Sequence, residues 1–187
     1  MSEVRPRLHI GPAVKERALA QFGRRDATQR PTGETAAPAR PVTTVKSVAL
    51  HDLQFRATVE GHEFISDERE GGQDAGPAPL RYFLGGIMMC HQVMCVKSAA
   101  MLDLPLDHLE SEISGYLGRP ATGEPGGFVR LELTVRIDSA NSDDQMRTIV
   151  EQAGERCPAF VTAARASRID LTLQHNGTTI LERTYGE

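Results

Sequence analysis

Hydrophobic and polar residues alternate in several stretches of the chain, and each such stretch predicts a β-strand. Between residues 43 and 67 the apolar positions of three short strands are Val45, Val48, Leu50, then Phe55, Ala57, Val59, then Phe64 and Ile65. Residues 128–137 form the clearest strand, with polar side chains at every second position, and residues 109–117 form another. A closing hairpin is predicted around Asn176-Gly177, a dipeptide that favours a type I′ turn.

Helical patterns separate these strands. Pro79 suits the first turn of a helix that runs to about Leu102, before Pro105. Ser142 is the predicted N-cap of a second helix that reaches Cys157, where Pro158 marks a break. The order βββαββα(α)ββ predicts an α+β domain over residues 43–187.

The first 42 residues differ in character from the rest. Val14 to Arg25 is predicted to form a short amphipathic helix. Residues 26–41 are rich in Pro, Thr, Ala and Arg and have no apolar period, which is typical of a flexible linker. This segment is either a disordered tail or an arm that wraps a partner subunit.

The helix after Pro79 is unusual because it is apolar on nearly every face, despite the Gly85-Gly86 pair. A surface helix keeps a polar stripe, so this one belongs inside a core. A single sheet cannot cover all of its faces. A second copy of the same helix would do so, which predicts an intertwined homodimer.

Composition narrows the possible functions. A net charge of −4 and 5% aromatic residues without Trp argue against nucleic acid as a partner. The N-terminus has no apolar run of signal-peptide length, and we expect no membrane association. Three cysteines in 187 residues do not resemble a disulfide framework. A cytoplasmic protein with reduced thiols is therefore predicted.

We predict neither a metal nor a cofactor. His91 and Cys95 share a helical face, yet two ligands do not make a zinc site and no CxxC motif occurs. The glycines of residues 71–76 match neither a P-loop nor a dinucleotide fingerprint. His91 is either an interior histidine or a base, and the role of Cys95 stays open.

One ordered set of motifs resembles a known family. It comprises Gly61-His62, Asp67, the Gly71-Gly72-x-Asp74-x-Gly76-Pro77-x-Pro79 run, a helix carrying Cys90, Ser114-Gly115, and Cys157-Pro158. The set resembles the OsmC/Ohr family of osmotically induced and organic-hydroperoxide-resistance proteins. This resemblance implies two curved antiparallel sheets wrapped around paired central helices in a homodimer.

The resemblance also implies a chemistry. In the peroxidase members, the cysteine matching Cys90 attacks an organic hydroperoxide, and the one matching Cys157 resolves the sulfenic acid into a disulfide. A dithiol reductant then restores both thiols. The activating arginine of the family lies on an early strand, where Arg56 is the best candidate.

The chain departs from the family pattern at the start of the long helix. The peroxidases carry a glutamate after the proline that matches Pro79, whereas Leu80 and Arg81 stand here. Two alternatives follow: a thiol-dependent peroxidase, or a weak or inactive dimer that binds a small apolar ligand in the same cleft.

Overall fold

The computed structural model describes residues 7–22, 43–119 and 126–186. The elements in chain order are α1 (Pro12–Phe22), β1 (Lys46–His51), β2 (Gln54–Val59), β3 (His62–Ser66), α2 (Pro79–Met101), β4 (His108–Gly118), β5 (Gly127–Asp138), α3 (Asp143–Arg156), α4 (Pro158–Ala164), β6 (Arg168–His175) and β7 (Thr178–Tyr185). The predicted α+β class and element order are confirmed. The linker predicted at residues 26–41 lies outside the described residues, and the domain boundary between residues 42 and 43 stays a prediction.

The chain divides into two compact units, Ala27–Phe83 and the combination of Met1–Asp26 with Leu84–Glu187. In the first unit, β1, β2 and β3 form an antiparallel sheet in that order. Within the described part of the chain, Val48 and Leu50 of its first strand are 49% and 41% exposed. This sheet therefore has apolar side chains that the described residues leave partly in solvent.

Asp67 organises the loop that leads from β3 to α2. Its buried carboxylate accepts hydrogen bonds from Gln54 Nε2 (3.1 Å) and from the backbone N–H groups of Glu68 (2.9 Å), Gln73 (3.1 Å) and Ala75 (3.2 Å). Burial alone would raise the pKa of Asp67, but these hydrogen bonds hold it below its usual value. A Cβ on Gly72 would collide with this carboxylate and with the Glu68 carbonyl, so the turn requires glycine there.

The second unit is built on a four-stranded sheet in the order β4-β5-β6-β7. Its core contains the inward residues of β5 and β6, including Leu133, Val135 and Leu171, packed with residues of α2 and α3. The helix α1 belongs to this unit and buries Ala18 and Phe22, of which Phe22 is part of the same core. The helix predicted over Val14–Arg25 is thus present but begins two residues earlier, at Pro12, and residues 23–25 of the predicted range lie outside the described residues.

The four-stranded sheet is not wholly antiparallel as expected, because β5 and β6 run parallel over Arg130–Ile137 and Arg168–His175. The physical reason is the intervening α3–α4 segment, since a parallel pair needs a crossover connection of a dozen or more residues. The β6–β7 hairpin turns at Asn176 (φ 48°) and Gly177 (φ 81°). Positive φ at both positions matches the predicted type I′ turn.

Candidate functional site

Helix α2 carries the first predicted site residue, Cys90, in its middle. The helix spans 23 residues and is continuous through Gly85 and Gly86. Cys90 is partly exposed and packs against the core that contains Cys157. All three cysteines are free thiols.

Cys157 lies where α3 ends and α4 begins. It is both the C-cap of α3, donating its N–H to Ala153 O at 2.9 Å, and the N-cap of α4. Pro158 at the first position of α4 has no N–H, and the Phe160 N–H donates to Cys157 Sγ at 3.4 Å. The side chain is completely buried. The local sequence at this helix junction therefore makes Cys157 the N-cap of α4.

The Cys90 and Cys157 side chains lie close enough to interact electrostatically. The pKa of Cys157 is raised to about 12, chiefly by burial and also by the neighbouring Cys90 side chain, while the backbone N–H groups of Phe160 and Ala159 act in the opposite direction. Cys157 is thus a neutral thiol near pH 7. Two neighbouring free thiols, one partly exposed and the other buried, are the groups from which a disulfide can form.

Cys95 and His91 form a second buried pair beside these cysteines. Cys95 Sγ lies 3.7 Å from His91 Nδ1, as their shared helical face predicts. Burial raises the pKa of Cys95 above its usual value, and the nearby Cys157 adds to the effect. Burial lowers the pKa of His91 to about 4, so the imidazole is neutral. His91 also packs on the Phe160 ring, with centroids 5.1 Å apart.

This arrangement indicates that His91 is an interior histidine rather than a solvent-accessible base. Its Nε2 atom is buried and has no hydrogen-bond partner among residues 7–22, 43–119 and 126–186. No local sequence pattern predicts the contact between His91 and Phe160. The apolar run around Phe160 was the available signal, but nothing in it indicated which part of α2 it would meet.

Arg56, the predicted activating residue, lies on β2 in the other compact unit. Its Nε atom is 4.0 Å from the Glu63 carboxylate across the β2–β3 pair, and its side chain is 47% exposed. The structure does not test its assignment to the cysteine site, which stays a prediction. At the start of α2, Leu80 and Arg81 are exposed, and neither supplies a carboxylate.

A metal centre finds no support in the described part of the chain. There, no group of three or more His, Cys, Asp or Glu side chains is placed to hold an ion.

Among the described helices, α2 is long and apolar enough to cross a membrane by length and composition, a test that core helices of soluble proteins also pass.

Comparison with known proteins places this geometry in a family. The family model described as OsmC-like protein matches residues 71–172. A protein of Mycoplasma genitalium named hydroperoxide reductase is 26% identical over 136 residues, covering 70% of this chain and 96% of that protein.

Solved structures show the same fold. An OsmC-like protein from Mycoplasma pneumoniae aligns with a TM-score of 0.66 and 19% identity, covering 73% of this chain and 99% of that one. An organic hydroperoxide resistance protein from Elizabethkingia anophelis aligns with a TM-score of 0.61 and 15% identity, covering 75% and 100%. The matched region contains both Cys90 and Cys157 and more than half of the sequence, and the chain belongs to the OsmC-like protein family.

Proposed function

We propose that this protein reduces organic hydroperoxides with Cys90 as the nucleophile and Cys157 as the resolving cysteine. The observation that carries the proposal is that the two side chains lie close enough to interact, with Cys90 partly exposed and packed against the core that contains the buried Cys157. The name of the Mycoplasma genitalium relative supports the same activity. The protein would act in the cytoplasm, where a dithiol reductant keeps thiols reduced.

The first step consumes the peroxide. The Cys90 thiolate attacks one oxygen of the peroxide bond, the O–O bond breaks, and the alkoxide leaves as an alcohol after taking a proton. Cys90 is then a sulfenic acid, which is prone to further oxidation. Arg56 is proposed to stabilise the thiolate as a positive neighbour, in the way that lowers the pKa of reactive cysteines.

The second step uses the buried thiol. The Cys157 sulfur attacks Cys90 Sγ, the S–O bond breaks, and the hydroxyl leaves as water with the proton that Cys157 held. Because burial keeps Cys157 protonated, that proton is available where the leaving group needs it. A dithiol then reduces the Cys90–Cys157 disulfide by two successive exchanges.

Removing each cysteine should separate these steps. Cys90→Ser should abolish peroxide consumption with cumene hydroperoxide and a dithiol, because no nucleophile is left. Cys157→Ser should allow about one turnover, after which Cys90 over-oxidises. Cys95→Ser serves as the matched control, because Cys95 is fully buried and should leave turnover within about twofold of wild type.

A second candidate is a catalytically weak dimer that binds a small apolar ligand. Its supporting observation is that the start of α2 carries Leu80, 50% exposed, and Arg81 where the peroxidases have a carboxylate. Equal peroxide consumption by wild type and Cys90→Ser would contradict the peroxidase and favour this candidate.

We also propose that the functional form is a homodimer. Along α2 the large apolar side chains Phe83, Met89 and Val93 are 52%, 55% and 50% exposed in the single chain. Apolar residues in such number on one helix are typical of an interface rather than of free surface.

A further inference from the structure

Helix α1 lies outside the region that matches the OsmC-like family, yet it is firmly attached to the unit that carries the cysteines. Ala18 is completely buried, and Phe22 is 9% exposed within the main core. At the other end of the helix, Lys15 Nζ contacts both carboxylate oxygens of Asp103, just beyond α2, at 2.5 and 2.6 Å. The helix is thus anchored at both ends.

Phe22 is the residue through which α1 contacts both cysteine-bearing helices. Lys97 of α2 places its Nζ 5.7 Å from the Phe22 ring centroid, and Arg156 of α3 places its Cζ 5.9 Å from the same centroid. Lys97 Nζ also donates to Gln21 Oε1 at 2.8 Å. Two cations on one aromatic ring connect α2 and α3 through a third helix.

These two cations lie on the elements that carry the reactive thiols. Lys97 is on the helix of Cys90, two turns further along, and Arg156 immediately precedes Cys157. We infer that Phe22 is a positioning residue for the Cys90–Cys157 disulfide: by holding Lys97 and Arg156 together, it holds the end of α3 against α2. The inference rests on the cysteine pair of the proposed function.

A disulfide forms within a narrow range of Cα separations and Cβ directions. Cys157 ends α3, so a small rotation or slide of that helix moves its sulfur directly. A displacement of 1 Å between two reacting groups can lower the rate of their reaction about 100-fold. The contact between Phe22 and Arg156, the residue beside Cys157, therefore has a large effect on the separation of the Cys90 and Cys157 sulfurs. Its effect on the rest of the fold is small.

The test is the equilibrium of the full-length protein with glutathione. In this exchange one oxidised glutathione and the Cys90–Cys157 dithiol give the intramolecular disulfide and two reduced glutathiones. The fraction of disulfide at each glutathione ratio is measured by alkylation and peptide mass mapping, which also separates Cys95. Phe22→Leu keeps an apolar side chain but removes the ring. It should lower the equilibrium constant about tenfold, which is about 30 mV for a two-electron couple.

Three variants complete the design. Phe22→Tyr keeps the ring and should restore the wild-type equilibrium, whereas Leu19→Ala, at a 42% exposed position of α1, should leave it unchanged. Lys97→Met removes one cation from the surface of Phe22 and should shift the equilibrium in the same direction as Phe22→Leu. If Phe22→Leu does not fold, the disulfide equilibrium of Lys97→Met tests the positioning role of Phe22 in its place.

A wild-type equilibrium constant in folded Phe22→Leu, or in Lys97→Met where Phe22→Leu is unfolded, would overturn the inference. An equal shift in Phe22→Tyr would also overturn it, because the ring would then have no special role. The measurement needs no peroxide. A protein that shows the shift but consumes no hydroperoxide would contradict the proposed function and leave the positioning role standing.

Discussion

At the scale of single residues, His91 is a titratable group that burial removes from water. It is completely buried among apolar neighbours and the Cys95 thiol, and burial lowers its pKa to about 4 from an ordinary 6.5. An unfolded chain binds a proton at this histidine over a pH range in which the folded protein does not. Stability must therefore fall as the pH drops from about 6.5 towards 4.

We expect His91 to lower the free energy of unfolding by about 3 kcal/mol between pH 7 and pH 4, from a pKa difference of 2 to 3 units. Urea unfolding at several pH values measures this loss. His91→Met should flatten the profile over that interval, whereas His62→Gln, at an exposed strand position, should not. Asp67, with its lowered pKa, loses its contribution only below the usual aspartate range.

A flat profile in the wild type between pH 6.5 and 4 would contradict this explanation. So would a His91→Met profile that is as steep as the wild type. Either result would mean that the imidazole reaches solvent in the folded protein.

At the scale of elements, α3 shows how local sequence determines the position of a reactive group. Ser142 accepts a hydrogen bond from the Gln145 N–H at 3.3 Å, and the Gln145 side chain accepts one from the Ser142 N–H at 3.0 Å. This capping box fixes the start of the helix, and Pro158 fixes its end. Cys157 therefore lies between the last residue of α3, Arg156, and the first residue of α4, Pro158.

Ser142→Ala should lower the free energy of unfolding by about 1 kcal/mol, because it removes the cap. Ser142→Asp should retain nearly all of the wild-type free energy of unfolding, since a carboxylate also caps the helix and interacts favourably with the helix dipole. Urea denaturation at neutral pH compares the two variants with the wild type. Equal stability of the alanine and aspartate variants would show that the hydrogen bond to Gln145 contributes nothing.

At the scale of the whole molecule, the feature that calls for a partner is the exposed apolar surface of α2. The helix supplies Ile87, Met94 and Ala99 to the core, while Met89 and Val93 project from its opposite side. The proposed homodimer would cover these side chains. It would also explain why a helix with so few polar residues is compatible with a protein in water.

Val93→Glu should raise the dissociation constant of the dimer at least tenfold, because an unpaired charge would have to be buried at the interface at a cost of several kcal/mol. Sedimentation or light scattering over a range of protein concentrations measures the change. The matched control is Thr148→Glu, which places the same charge on the exposed side of α3. A wild-type protein that is monomeric and folded at low micromolar concentration would contradict the dimer.

Much of the local structure follows from the sequence alone. The Asn176-Gly177 turn, the Ser142 cap and the break at Pro158 were all predictable, because each depends on interactions within a few residues. The alternation in residues 128–137 predicted β5, and the motifs around Cys90 and Cys157 predicted the family.

Other features depend on packing between distant segments, which no local pattern encodes. Strand alternation does not specify direction, so the parallel β5–β6 pairing appears only when α3 and α4 are in place. The same holds for the cysteines. The sequence presents three thiols, and the packing of α3 against α2 decides that Cys157 lies beside Cys90 while Cys95 is buried against His91. Tertiary structure decides this because the separation of two sulfurs depends on how whole helices pack, and not on the residues next to either one.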